Sequence, residues 1–335
     1  MQKSKLKTLM IYQLLNKYSD EEHPLSTTDL ISMLEKYEIQ CERKSIYADI
    51  DSLKEMGCDI LTTNYPKRGF FMASRLFELP EVRLLIDAVT SAGFITPKKT
   101  QELVRKLETL VSENQAKNLC SQVYVDTQNK CDNEEIYYTI DALNEAIISK
   151  KKVKFEYKRR SIDKKNKKNY TTKIHTVSPY ALIWKNDHYY LVCNNDKYDN
   201  LLNLRLDRIR KINVLDEKIR DFSEVSEYSG TFNISDYSAK MFNMFSGEST
   251  KVRLLCDLEI REEVMDRFGA NVPLNAVDTS HFETTVDATY SEGFVSWVMQ
   301  YGDKIKVLEP TTLADMVRNR AEKIYNLYQK RISVC

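Results

Sequence analysis

Between Lys150 and Leu215 apolar and polar residues alternate with a period of two, and no other stretch restricts the fold as tightly. Val153, Phe155 and Tyr157 alternate with Lys154, Glu156 and Lys158, and Leu202, Leu204 and Leu206 with Asn203, Arg205 and Asp207. Successive strand side chains point to opposite faces, so this pattern predicts half-buried strands with one face in a core and the other open. The open face is cationic. From Lys150 to Lys173 twelve Lys or Arg stand against two acids, Glu156 and Asp163. An anionic partner is expected there.

A chain of 335 residues exceeds one ordinary core and predicts two to four domains. Its 42% hydrophobic and 30% charged residues are those of a globular protein. No apolar run approaches the roughly 20 residues of a membrane helix, and M-Q-K-S-K-L-K at the start lacks a signal-peptide core. Seven scattered cysteines without a C-x-x-C argue against a disulfide framework or zinc site. A cytoplasmic protein with no membrane partner is expected. The net charge of +1 means that any nucleic-acid footprint must be local.

Leu6, Leu9, Met10 and Leu14 predict an apolar stripe on a first helix ending near Tyr18. Ser26 and Asp29 read as a capping box opening a second helix. A third, about Glu42 to Met56, buries Ile46, Ile50 and Leu53 and stops at Gly57. Two β-like pieces, Asp59–Thr63 and Gly69–Met72, complete the order of a winged helix-turn-helix. In that arrangement the third helix enters the major groove by its N-terminal end. Arg43, Lys44, Ser45 and Tyr47 stand at that end, and Lys67 and Arg68 at the wing tip. Arg suits guanine edges, Lys suits phosphates, and hydroxyls suit either. Residues 1–72 nevertheless carry ten Lys or Arg against eleven acids.

Helical patterns broken by Gly93 and Pro97 cover Leu76 to about Leu119, and another runs from Ile136 to Ser149. The C-terminal block alternates elements: strand Lys251–Leu258, helix Arg261–Phe268, strands Asn271–Val277 and Phe282–Tyr290, a helix after Ser291 and strand Lys304–Leu308. A last helix follows through Leu313, Met316, Val317, Ile324 and Leu327. This order suggests a ferredoxin-like α+β sandwich.

Three stretches together resemble the bacterial transcription regulators that carry a WYL domain. Glu42–Gly57 with Gly69–Phe71 is similar to that family's winged helix. Val153–Tyr157, His175–Tyr180, Tyr189–Leu191 and Arg205–Ile209 are similar to its central domain, in the right order. The block ending in Leu308–Leu313 is similar to its C-terminal extension. Tyr189 stands where the family has tryptophan, Ala48 where it commonly has Arg, and Glu42 where a Ser cap is usual.

The resemblance implies a multidomain α+β chain. Its parts would be a winged helix-turn-helix (1–75), a helical connector (76–149), an SH3/Sm-like β-barrel (150–220) and a C-terminal ferredoxin-like domain (248–335). It also implies a homodimer that binds double-stranded DNA. An anionic ligand, a nucleotide or single-stranded nucleic acid, would sit on a face made by Tyr157, His175, Tyr190, Arg205 and Arg208. No cofactor, metal or catalytic residue is expected. An enzyme would need a P-loop, an H-E-x-x-H or clustered acids, and the sequence offers none. A third reading is a ligand sensor that acts through partners and has a degenerate winged helix; the near-neutral N-terminal charge favours it.

Overall fold

The computed structural model describes residues 2–121, 129–161, 170–226, 232–242, 244, 247 and 249–329. Part of the lysine-rich stretch, 162–169, lies outside the described residues. The chain divides into two compact units, Met1–Glu134 and Glu135–Cys335.

In the first unit, helices α1 (Gln2–Tyr18), α2 (Thr27–Glu35) and α3 (Arg43–Glu55) precede the antiparallel hairpin β1 (Ile60–Thr63) and β2 (Gly69–Met72). The capping box at Ser26 and Asp29 is present in both directions. Glu42 precedes α3 without a side-chain cap bond, and Gly57 beyond its end takes φ +93°, a backbone that favours glycine. The apolar stripe of α1 is rotated from its expected face. Leu6 and Leu9 are exposed, whereas Ile11, Leu14 and Leu15 enter the core with Leu30, Ile46 and Ile50. The rotation has a polar cause: Lys7 pairs with Asp49 at 2.8 Å, and the Thr8 hydroxyl donates to Asp49 at 2.6 Å. Asp49, buried on α3, thus sets which side of α1 faces inward.

Leu25 forms a bridge with Phe70, so the segment before α2 lies against β2. The approach is close at Gly69, where a Cβ would meet the Leu25 carbonyl carbon and oxygen at 2.8 Å. Gly69→Ala is therefore expected to destabilise this unit by about 1–3 kcal/mol through overpacking. Urea unfolding of the full chain, read at the first transition, would check it. Helices α4 (Leu79–Ser91), α5 (Pro97–Glu108) and α6 (Glu113–Cys120) follow, around Val82, Ile86, Val104 and Val111. Ser112, which caps α6, donates its hydroxyl to Asp20 just past α1, tying these helices to the first three.

The second unit opens with α7 (Ile136–Ser149), expected above in the connector, which packs on the sheet that follows it. Strands β3 (Lys151–Arg160), β4 (Tyr170–Lys185), β5 (His188–Asn194) and β6 (Leu201–Arg205) form an antiparallel meander. A 3-10 turn, Leu206–Arg208, then leads to β7 (Ile209–Lys218), which returns to pair with β3. The sheet order is β6-β5-β4-β3-β7. Val153, Phe155 and Tyr157 are buried as their alternation requires. The second alternation holds at Leu204 and Leu206, which are buried, but at the start of β6 Leu201 is buried in place of Leu202.

Helix α8 (Ile234–Lys240) follows, and carbonyls at and just past its end are held by two half-buried cations. Lys185 donates to the Ser238 and Met241 carbonyls, and Arg267 donates to those of Ala239 and Met241. Burial, with the nearby Arg267 charge, pushes the Lys185 ammonium down to about 8.

The last block runs β8 (Ser249–Asp257), α9 (Arg261–Phe268), β9 (Asn275–Ala276), β10 (His281–Thr289), α10 (Glu292–Gln300), β11 (Ile305–Glu309) and α11 (Thr311–Gln329). Its antiparallel sheet has the order β11-β8-β10-β9. The strand expected over Asn271–Val277 shrinks to two residues, since only Asn275 and Ala276 pair with β10. Leu313 anchors α11 in the core, but Ile324 and Leu327 on the same helix are exposed. Among the described residues no helix is long and apolar enough to cross a membrane.

Candidate nucleic-acid interface and ligand face

At the N-terminal end of α3, Arg43, Lys44 and Tyr47 are exposed, as the helical spacing predicts. The Tyr47 ring meets Phe70 of β2 edge-on at 5.7 Å, joining the helix end to the hairpin. Arg43 donates to the Tyr47 hydroxyl at 3.4 Å. That bond, with the Arg43 charge and the more distant Arg68 charge, holds the phenol below its ordinary pKa. Two residues of the expected set are engaged elsewhere. The Ser45 hydroxyl accepts from Lys7, and Lys67 pairs with Asp29 at 2.7 Å. Burial works against charge on Asp29, but hydrogen bonds from Lys67 and Ser26 lower its pKa overall. The hairpin tip is thereby tied to the start of α2. Arg68 is exposed in the loop between β1 and β2, as is Tyr65, an aromatic that is 84% exposed and was not among the expected contacts.

In the second unit the five expected ligand residues divide by burial. Tyr157 and Tyr190 are 4% and 9% exposed, so neither offers the open ring face that base stacking needs. Both belong to the inward set of their strands. The Tyr157 hydroxyl accepts the Arg205 backbone N–H at 3.2 Å, which fixes the end of β6 over β3. His175, Arg205 and Arg208 are half-buried. His175 stacks on Phe155 at 5.8 Å and meets the Tyr157 ring edge-on at 5.6 Å. Burial lowers the His175 pKa, and the charges of Arg159 and Lys173 lower it further.

Arg205 grips Asp207 through both arms of its fork, Nε to Oδ1 at 3.0 Å and a terminal nitrogen to Oδ2 at 2.7 Å. Burial disfavours charge on Arg205, yet these bonds outweigh it and raise its pKa. Arg208 has no carboxylate partner among the described residues. His188 stands on the same side, 6.2 Å from Tyr190. Its Nδ1 is buried with no hydrogen-bond partner, and burial together with Arg205 lowers its pKa. His188 was not among the residues singled out. Its place two positions before Tyr190 was the signal, because strand residues i and i+2 share a face.

This cluster can receive an anion. A guanidinium fork matches a phosphate as well as a carboxylate, so an oxyanion can compete with Asp207 for Arg205. Arg208 adds an unpaired charge, and His188 supplies a nitrogen that would become a donor on protonation.

Two family models match the second unit: a WYL domain over residues 138–214 and a WCX domain over residues 248–325. The chain carries a WYL domain followed by a WCX domain. The WYL match begins inside α7. Among solved structures, the chain is similar to proteasome accessory factor B/C (PafBC) of Arthrobacter aurescens, with 16% identity and a TM-score of 0.26. That match covers 95% of this chain and 46% of the PafBC chain, so this chain spans less than half of its length. It is also similar to a CRISPR Cas-related protein, with 13% identity, a TM-score of 0.36, and coverage of 99% of this chain and 85% of that one. No curated protein matches the sequence. The assignment rests on the two domain matches and not on these neighbours.

Proposed function

We propose that the protein is a sequence-specific, DNA-binding transcription regulator. It works as a homodimer, and an anionic ligand on the WYL domain modulates it. The observation that carries this reading is the exposed Arg43, Lys44 and Tyr47 group on α3, set beside Arg68 by the Tyr47–Phe70 contact, in a chain that also has WYL and WCX domains. The order of three helices and a hairpin, with Leu25 bridging β2, supports a winged helix. The return of β7 to pair with β3 after a four-stranded meander supports an SH3/Sm-like barrel. The order β11-β8-β10-β9 supports the ferredoxin-like reading of the WCX domain. Uncovered Ile324 and Leu327 on α11 support the homodimer.

Genome-wide binding of the tagged protein, followed by mobility shifts on the recovered fragments at several salt concentrations, tests the reading. Preference for one set of fragments is expected. Uniform binding of all DNA would reject it.

The ligand site should respond to pH. The unliganded pKa of His188 is lowered, and a bound phosphate would raise it, so binding takes up a proton. Affinity for a dinucleotide, whose phosphodiester does not titrate in this range, is therefore expected to rise as pH falls from about 8 to about 5.5. The pH dependence should flatten in His188→Gln. Calorimetric titration in buffers of different ionisation enthalpy would detect the proton uptake directly.

A further inference from the structure

The outward face of the β3–β4 ribbon carries charge that the ligand cluster does not use. Phe155 and its cross-strand partner His175 point to the inward side, so the next residues along each strand make a second, opposite surface. On β3 that surface presents Lys154, Glu156, Lys158 and Arg160. Glu156 is neutralised by Lys211 at 2.7 Å. None of the three cations has a carboxylate partner among the described residues, whereas their neighbours Lys151 and Lys152 are paired with Asp216 and Asp196.

The register adds a second feature. Lys154 stands opposite Thr176, Lys158 opposite Thr172, and Arg160 opposite Tyr170, so each unpaired cation has a hydroxyl directly across the ladder. Lys or Arg together with Thr or Tyr hydroxyls are the usual side-chain ligands of nucleic-acid phosphates. Along β3 the three pairs are about 13–14 Å and about 7 Å apart. A duplex presents one charge per roughly 1.7 Å of axis, so several phosphates fall within reach of such a row.

A third observation concerns supply and demand. Affinity for a duplex comes mainly from phosphate neutralisation. Residues 1–72, which hold the proposed reader, have eleven acids against ten bases, and two of their six candidate contacts are engaged internally. A second, more cationic surface would add to the backbone affinity that this end can supply.

We propose that the outward face of the β3–β4 ribbon binds the phosphate backbone of duplex DNA through the three pairs Lys154–Thr176, Lys158–Thr172 and Arg160–Tyr170. It supplies sequence-independent affinity, while the α3 end supplies choice. The proposal rests on the DNA-binding reading, but it can be tested separately.

The full-length protein is titrated into a fluorescent duplex of arbitrary sequence across a salt series. Wild type is compared with Lys154→Gln/Lys158→Gln/Arg160→Gln and with the charge-keeping Lys154→Arg/Lys158→Arg. The slope of log affinity against log salt is expected to become shallower by about 2.7 in the triple variant, at about 0.9 per lost phosphate contact. Low-salt affinity should fall about tenfold or more, and the Arg pair should keep both values. An unchanged slope overturns the proposal. So does a loss confined to a single-stranded probe, which would make the ribbon a single-strand platform. If the triple variant does not fold, acetylation footprinting of wild type decides. Lys154 and Lys158 should be protected by duplex, and equal reactivity with and without it overturns the proposal. Failure of the regulator reading looks different: no sequence preference in wild type, with the ribbon's salt slope intact.

Discussion

Arg43→Glu/Lys44→Glu is expected to weaken binding to a preferred DNA site by about a hundredfold or more. Each lost side-chain contact to base or phosphate is worth about 1–3 kcal/mol, and reversed charge adds repulsion from the backbone. Both side chains are exposed at the start of α3, away from the core made by Ile46, Ile50 and Leu53. The variant should therefore melt like wild type. Fluorescence anisotropy on a fragment recovered from genome-wide binding, compared with a scrambled fragment, gives the number. Undiminished preference would remove α3 as the reader and favour a ligand sensor that acts through protein partners. Tyr47→Phe gives a gentler check, because it keeps the ring against Phe70 but loses the hydroxyl that Arg43 reaches.

The second large effect concerns the WYL face. Arg205→Ala is expected to abolish the response of DNA binding to an anionic ligand. It should also destabilise the second unit by about 1–3 kcal/mol, since it leaves Asp207 without its fork partner. The Asp207 side chain is only 12% exposed and that of Arg205 25%, so water compensates little for the lost pair. Arg205→Lys separates the two consequences. It keeps a charge near Asp207 but loses the planar two-point grip, so stability should be largely retained while ligand affinity falls. Denaturant unfolding and calorimetric titration with a nucleotide monophosphate read the two quantities. A ligand response preserved in both variants would move the site away from this cluster. Asp207→Asn should act in the opposite direction: without the competing carboxylate, Arg205 is freer to accept the ligand.

Much of the local structure followed from short-range rules. A Ser and an Asp three residues apart opened α2, and Gly57 closed α3 because its positive φ suits no side chain. Gly69–Met72 and Arg261–Phe268 appear with the expected bounds because their limits are set by neighbouring residues. Expectations failed where two faces of one helix were about equally apolar. Leu6 and Leu9 repeat like core residues, yet the buried Asp49 drew Lys7 and Thr8 inward and turned them out. Beyond Arg205 the chain bends into a 3-10 turn, and this brings Asp207 into the fork of Arg205.

Alternation and charge count alone thus determined that residues 150–215 hold strands and that they carry surplus positive charge. Helical spacing likewise put Arg43 and Lys44 on the exposed side of α3, because it is local geometry. Whether a tyrosine is an open platform or a core ring was decided only by the tertiary structure. The same holds for which cations have no carboxylate partner among the described residues, as Lys154, Lys158 and Arg160, and which are spent on a nearby carboxylate, as Lys67 and Arg205 are. The reason is physical: burial and ion pairing depend on side chains brought together from distant parts of the chain, such as Lys67 with Asp29 and Tyr157 with the Arg205 backbone. No spacing along the sequence encodes that meeting.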